Sequence, residues 1–131
     1  MFSGKRPTNL GVKNGKLKAC PGTPNCVNSQ SQDSQAKIAP LPAAPLADLR
    51  KVVEAMERTK IIKMTDNYLY AEFKSKLMGF IDDVEFYLDP AAKVIHVRSA
   101  SRLGQSDLGA NRQRVEMIRE QLREMAIASN S

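Results

Sequence analysis

The side chains best suited to holding an anion are concentrated in one stretch, Arg98-Ser-Ala-Ser-Arg-Leu-Gly-Gln-Ser-Asp-Leu-Gly-Ala-Asn-Arg112. Arg98, Arg102 and Arg112 can offer forked N–H donors to a phosphate or carboxylate. Ser99, Ser101, Asp107 and Asn111 add short polar groups, and Gly104 and Gly109 permit close backbone approach. If a helix begins just after this stretch, its first amides add a further anion site. The same residues could equally form a polar network that fastens a helix to a sheet, with Asp107 or Ser106 as the helix cap. Asp82 and Asp83 are the candidate acid–base residues. Neighbours in a strand point to opposite faces, so they are not a ready carboxylate pair. His96 is the single histidine, and no nucleophile elbow surrounds Ser99 or Ser101. A third site is Cys20-Pro-Gly-Thr-Pro-Asn-Cys26, where Pro24 and Asn25 belong to continuous turn chemistry. One loose cysteine pair and one distant histidine do not make a zinc site, so no metal and no cofactor are expected. Two free thiols or a local disulfide remain open, and nothing basic lies in the loop to activate a thiol.

The elements that must position these groups follow from periodicity. Six of the seven prolines lie within residues 1–45, which predicts an extended Pro/Gly-rich arm rather than long regular structure. Leu46, Leu49, Val52, Val53 and Met56 recur at helical spacing, predicting a helix from Pro45 to about Arg58. Four strands are expected at Thr59–Met64, Tyr68–Ser75, Phe80–Leu88 and Val94–Ser101. The last helix is expected over Leu108–Ala126, with Val115, Ile118, Leu122 and Met125 as its apolar stripe. Arg112–Glu116, Glu116–Arg119 and Glu120–Arg123 are spaced to pair on its solvated side. The fold class is therefore α+β: a four-stranded antiparallel meander with two helices on one face, in the order α-β-β-β-β-α. The domain organisation reads as a basic flexible arm (1–17), one α+β domain (18–127) that includes the 20–26 loop, and a frayed tail (128–131). In the simplest hairpin register, Asp83 and Glu85 face the Arg98 and His96 side of the next strand. Asp82 shares the inward face and needs a partner, for which Arg102, Ser101 or Asn111 are placed.

Composition narrows the partners. The net charge is +6, but residues 1–32 carry five bases and no acid, so the remainder holds fifteen bases against fourteen acids. A groove-reading nucleic-acid domain carries its bases on the folded body, which disfavours nucleic acid. The basic arm has the charge for weak contact with an anionic membrane surface. No apolar run approaches the roughly 20 residues of a transmembrane helix. Met-Phe-Ser-Gly-Lys-Arg-Pro has no apolar h-region after its bases, so the expected location is cytoplasmic.

Three segments carry a family resemblance. Cys20-Pro-Gly-Thr-Pro-Asn-Cys-Val-Asn-Ser-Gln30, Gly79-Phe-Ile-Asp-Asp-Val-Glu-Phe86 and the 98–112 stretch resemble, in order, the signatures of domain-of-unknown-function family 1499. Asn28 stands where that family's pattern has Ser. The resemblance covers about residues 18–125 and implies membership without an activity. Family members are bacterial, including cyanobacterial, and plastid proteins, many of them exported or membrane-attached. A lumenal setting would suit a Cys20–Cys26 disulfide and gives the alternative location, outside the cytoplasm or in the thylakoid lumen after removal of a leader. The resemblance also implies that the three segments meet in space. The expected function is a binding or assembly module whose 98–112 junction recognises an anionic small molecule or an acidic partner segment. The alternatives are a hydrolase using Asp82 or Asp83 with arginine clamps, and a thiol–disulfide protein acting through Cys20 and Cys26.

Overall fold

A computed structural model describes residues 4–76, 79–103 and 109–129. The elements run β1 (Cys26–Asn28), β2 (Leu41–Pro42), α1 (Leu46–Glu54), β3 (Thr59–Met64), β4 (Tyr68–Lys74), β5 (Ile81–Asp89), β6 (Val94–Ser101) and α2 (Ala110–Ser129). The meander expected from the alternating patterns forms as β3-β4-β5-β6, antiparallel throughout. The arm adds two short strands to the far edge of β6, β1 against Arg98–Ala100 and β2 against Val94–Ile95. Prolines and turn residues keep these pieces to three and two residues.

Both helices cover one face of the sheet. Leu49 and Val53 of α1 and Val115 and Ile118 of α2 are fully buried against Leu69, Ala71, Val84, Phe86, Ile95 and Val97. These sheet residues alternate along their strands, so the period-2 pattern selects the core face. Met56 and Met125 close the margin of this core. α1 is shorter than expected, stopping at Glu54, and the chain then reverses through Arg58 at a φ of 56°. α2 continues to Ser129, whose hydroxyl donates to the Met125 carbonyl. The Leu108 start, the Ser106 or Asp107 cap, Gly104 and the last two tail residues lie outside the described residues.

Of the three helix pairs expected on α2, Glu116–Arg119 and Glu120–Arg123 form. Arg112 instead donates to the carbonyls of Gln35 (2.9 Å) and Lys37 (3.0 Å). The reason is local: arm carbonyls without strand partners lie beside α2, and a guanidinium fork satisfies two at once. Arg119 does the same for Ala39 and Pro40. Two arginines thus bind the arm to α2.

The second face of the sheet is covered too. Leu10, Val12 and Leu17 of the arm pack on Tyr68, Tyr70, Ile62 and Tyr87. That face is rich in Tyr, Glu, Asp, Arg and His, where the helix face is mainly aliphatic. The arm therefore encloses polar groups, and each must find a partner inside.

Candidate functional site

Alternation along β5 and β6 sorts the polar residues at one end of the sheet into two networks. On the helix side, Asp82 is bound by Arg114, whose Nη2 lies 2.8 Å from Oδ2. This corrects the expected partner, since Arg102 lies on the opposite face. Arg114 also donates from Nη1 to Asn111 Oδ1 (2.8 Å) and Ser99 Oγ (3.2 Å), and its guanidinium sits 4.8 Å from the Phe73 ring centre. The Ser99 hydroxyl donates to Asn111 Oδ1 at 2.6 Å. Asn111 Nδ2 donates to Ser101 Oγ and to the Asn25 carbonyl, each at 3.1 Å. Asn111 and Ser99 are fully buried. Four elements of structure (the 20–26 loop, β5, β6 and α2) are joined here by charge-assisted or buried hydrogen bonds.

On the arm side, Arg102 is the counterpart. Its Nε and Nη2 grip the two oxygens of Asp83 at 2.9 and 2.8 Å, and Nη2 also donates to Glu72 at 2.5 Å. Arg6 from the arm donates to the same Glu72 oxygen at 2.6 Å. The Tyr70 and Tyr68 hydroxyls donate to Asp83 and Glu85, each at 2.5 Å. Burial first, and then these hydrogen bonds, push both phenols well above their ordinary range, so they remain donors. Hydrogen bonding to Asp83 holds the Arg102 guanidinium above its usual value, and the Arg6 hydrogen bond holds Glu72 below. The backbone N–H of Gly11 completes Glu85 Oε2 at 2.8 Å.

Arg98 breaks this pattern. It pairs in register with Glu85 across β5 and β6, as the hairpin reading expects. Yet its Nη1 lies 3.9 Å from Glu85 Oε1, beyond hydrogen-bond reach. Arg98 Nε and Glu85 Oε1 are both buried without a hydrogen-bond partner among the described residues. Burial lowers the Arg98 pKa, with Glu85 and Asp83 opposing that effect. A buried, charged guanidinium with unused donors is costly, and it is the group on this face most in need of an anion.

Arg98 lines a cleft of about 280 Å³. All three signature segments contribute to its walls: Thr23, Asn25 and Cys26 from the first, Asp83 from the second, Ser101 and Arg102 from the third. Lys18, Pro7 and Leu10 of the arm close it. The loop is held in place by a Cys20–Cys26 disulfide with a Cα–Cα distance of 5.7 Å, which resolves the open reading of the cysteines. Cys26 is only 2% exposed and pairs with Ala100. The Asn28 amide donates to the Lys18 carbonyl at 2.9 Å, positioning the residue that carries the cleft's second cation. Asn28 thus uses hydrogen-bonding capacity that a shorter serine would not extend as far.

The sequence-derived site residues therefore divide. Arg98, Arg102 and Asp83 share the cleft, Ser99, Asn111 and Asp82 belong to the helix-side network, and Asn25 and Ser101 line the cleft while accepting from Asn111 on the helix side. Arg112 is engaged with the arm, Asp107 lies outside the described residues, and Pro24 belongs to the disulfide loop. Sequence reasoning missed Arg114, Lys18, Glu72 and the two tyrosines. Arg114 was legible only as one more helix charge, because its target lies on a distant strand.

One arrangement resembles a hydrolytic triad: Ser29 Oγ lies 3.1 Å from His96 Nδ1, and His96 Nε2 lies 3.9 Å from Asp89. Ser29 is 3% exposed, and its Oγ also accepts the Val97 N–H at 2.9 Å. A hydroxyl so enclosed cannot meet a substrate carbonyl, and the group acts as a clasp between the arm and β6.

Comparison with known proteins supplies one match. The model of the family described as "Protein of unknown function (DUF1499)" covers residues 16–122. No curated protein and no solved structure matches the chain.

Proposed function

The chain belongs to the DUF1499 family, and from that premise we propose that it is a binding module whose arm-side cleft takes a small anion. The observation that carries this reading is Arg98, a 5%-exposed guanidinium on the cleft wall with unused donors. Lys18 adds a second cation, and the other cleft arginine, Arg102, is already neutralised by Asp83 and Glu72. A volume of about 280 Å³ lies at the lower end of small-molecule sites. It suits a phosphate, a short carboxylate, or one acidic side chain inserted by a partner protein. A nucleotide-sized ligand exceeds it.

The two alternatives draw less support. Asp82 and Asp83 face opposite sides of the sheet, and each is consumed by an arginine. That leaves no free carboxylate pair for hydrolysis. Cys26 is buried in a strand pair, away from attack by an incoming thiolate. No described helix is long and apolar enough to cross a membrane, and the disulfide is compatible with a compartment outside the cytoplasm. Lys5, Lys13 and Lys16 stay exposed on the arm and are the groups available for weak contact with an anionic membrane surface.

Thermal unfolding in phosphate, acetate, succinate and a glutamate-rich peptide tests the proposal. A bound anion raises the melting temperature by mass action on the folded state, and the rise should vanish in Arg98→Met and shrink in Lys18→Gln. Equal shifts in wild type and Arg98→Met, or no shift with any of the four, would overturn it.

A further inference from the structure

We propose that the groove between α1 and α2 is a second binding site, for a long-chain fatty carboxylate. It lies on the helix side of the sheet, is separate from the anion cleft, and does not depend on that reading. Its volume of about 920 Å³ is near the upper end for small-molecule sites. Its walls come from the end of α1 and the turn after it, from the end of β4 and from α2 between Ala110 and Met125.

The lining suits an aliphatic chain. Phe73 and Val52 border the groove with Met56, Met117 and Met125, and unbranched thioether side chains adapt to a flexible chain. Met117 is 55% exposed, an exposure that a bound chain would remove.

The rim charge chooses the head group. Arg114 is neutralised by Asp82. Arg58 pairs with Glu57, whose side chain is 83% exposed and well solvated. Among the described residues, Lys51 and Lys74 form no ion pair, and Glu124 is the remaining acid of the lining. Arg58 Nε donates to the Lys74 backbone carbonyl at 3.2 Å, which seats the Arg58 guanidinium where β4 ends beside Phe73. A carboxylate at this rim would meet the positive field of Lys51, Arg58 and Lys74 while its chain lies along the methionines.

Titration calorimetry of the intact, oxidised protein with octanoate, decanoate and dodecanoate, kept below micelle formation, tests this. Affinity should rise by about fourfold for each methylene fully buried. Dodecyltrimethylammonium should bind at least tenfold more weakly than dodecanoate. Lys51→Glu combined with Lys74→Glu should erase that preference, and Met117→Asp should erase the chain-length dependence. Both changes are at exposed positions, so unchanged melting curves are expected as the folding control. Arg98→Met should leave dodecanoate binding as it is. Affinity independent of chain length, or equal binding of the cationic detergent, would overturn the proposal. So would a concentration-dependent dimer that Met117→Asp dissolves, with no fatty carboxylate bound. That outcome would assign the groove to a second copy of the chain.

Discussion

The two faces of β5 and β6 differ in hydrogen-bond completion: among the described residues the helix-side network is closed, and the arm-side network is open at Arg98 and Glu85. Asp82 and Asp83 are adjacent, yet the strand pleat sends them to different systems. Asp82 meets Arg114, which is held on three further sides by Ser99, Asn111 and the Phe73 ring. Asp83 meets Arg102, which is equally saturated, but its neighbour Arg98 is not. Hydrogen-bond completion thus separates residues that fasten the fold from the residue on which the proposed anion site rests. Residue type does not, because both systems use arginine and aspartate.

The helix side should be the more fragile. Asp82→Ala leaves the Arg114 charge buried without its counter-ion, and breaking such a pair costs about 3–5 kcal/mol. Urea unfolding should show a large drop in midpoint with a two-state slope. A loss under 1 kcal/mol would mean that the network is not closed.

Arg98 and Arg102 provide the comparison within one face. Arg102→Met strands Asp83 and Glu72, and a loss of about 3 kcal/mol is expected. Arg98→Met removes a guanidinium that burial disfavours and that makes no hydrogen bond among the described residues, but it also takes the nearest cation from the buried Glu85 carboxylate, so its cost should be smaller than that of Arg102→Met without vanishing. Equal losses in the two variants would place Arg98 among the fastening residues.

The disulfide comes next. It closes a loop six residues apart in sequence, for which chain entropy predicts about 2 kcal/mol of stability. Cys20→Ser should lower the unfolding free energy by about that amount. Anion-induced stabilisation should weaken as well, because Lys18 and Asn25 flank the bridge.

The smallest effect is expected at His96, half-buried at the Ser29 clasp. Burial lowers its pKa below the ordinary 6.5. The unfolded chain therefore takes up a proton before the folded protein does. The stability this contributes is present above about pH 6.5 and is lost as pH falls through the lower folded value. His96→Gln should flatten that slope, and hydrogen exchange at Val97, whose N–H is bound by Ser29, reports it locally.

Much of the fold was legible because it is periodic. β-Branched, apolar content marked β3 and alternation marked β6 to the residue, and the Val115, Ile118, Leu122 stripe marked the buried face of α2. The hairpin register put Asp83 and Glu85 on the same side as Arg98 and His96, and the structure pairs Glu85 with Arg98. The arm was less legible. Leu10, Val12 and Leu17 are scattered among glycines and lysines, and no period shows that they cap the tyrosine face. The same limit hid Arg114: an i to i+4 rule finds partners on its own helix and is silent about a strand more than 30 residues away.

The amino-acid sequence by itself determined the α+β class, the order of the meander, the family, and the faces on which Asp82, Asp83 and Arg98 lie. These depend on local geometry, which repeats every two or 3.6 residues. Tertiary structure decided which polar groups are saturated, that Cys20 and Cys26 are joined, and that the arm closes a cleft over Arg98. Those outcomes depend on distances between segments up to 86 residues apart, as between Asn25 and Asn111. Whether a buried donor has a partner is set by that packing and is written in no single stretch of chain.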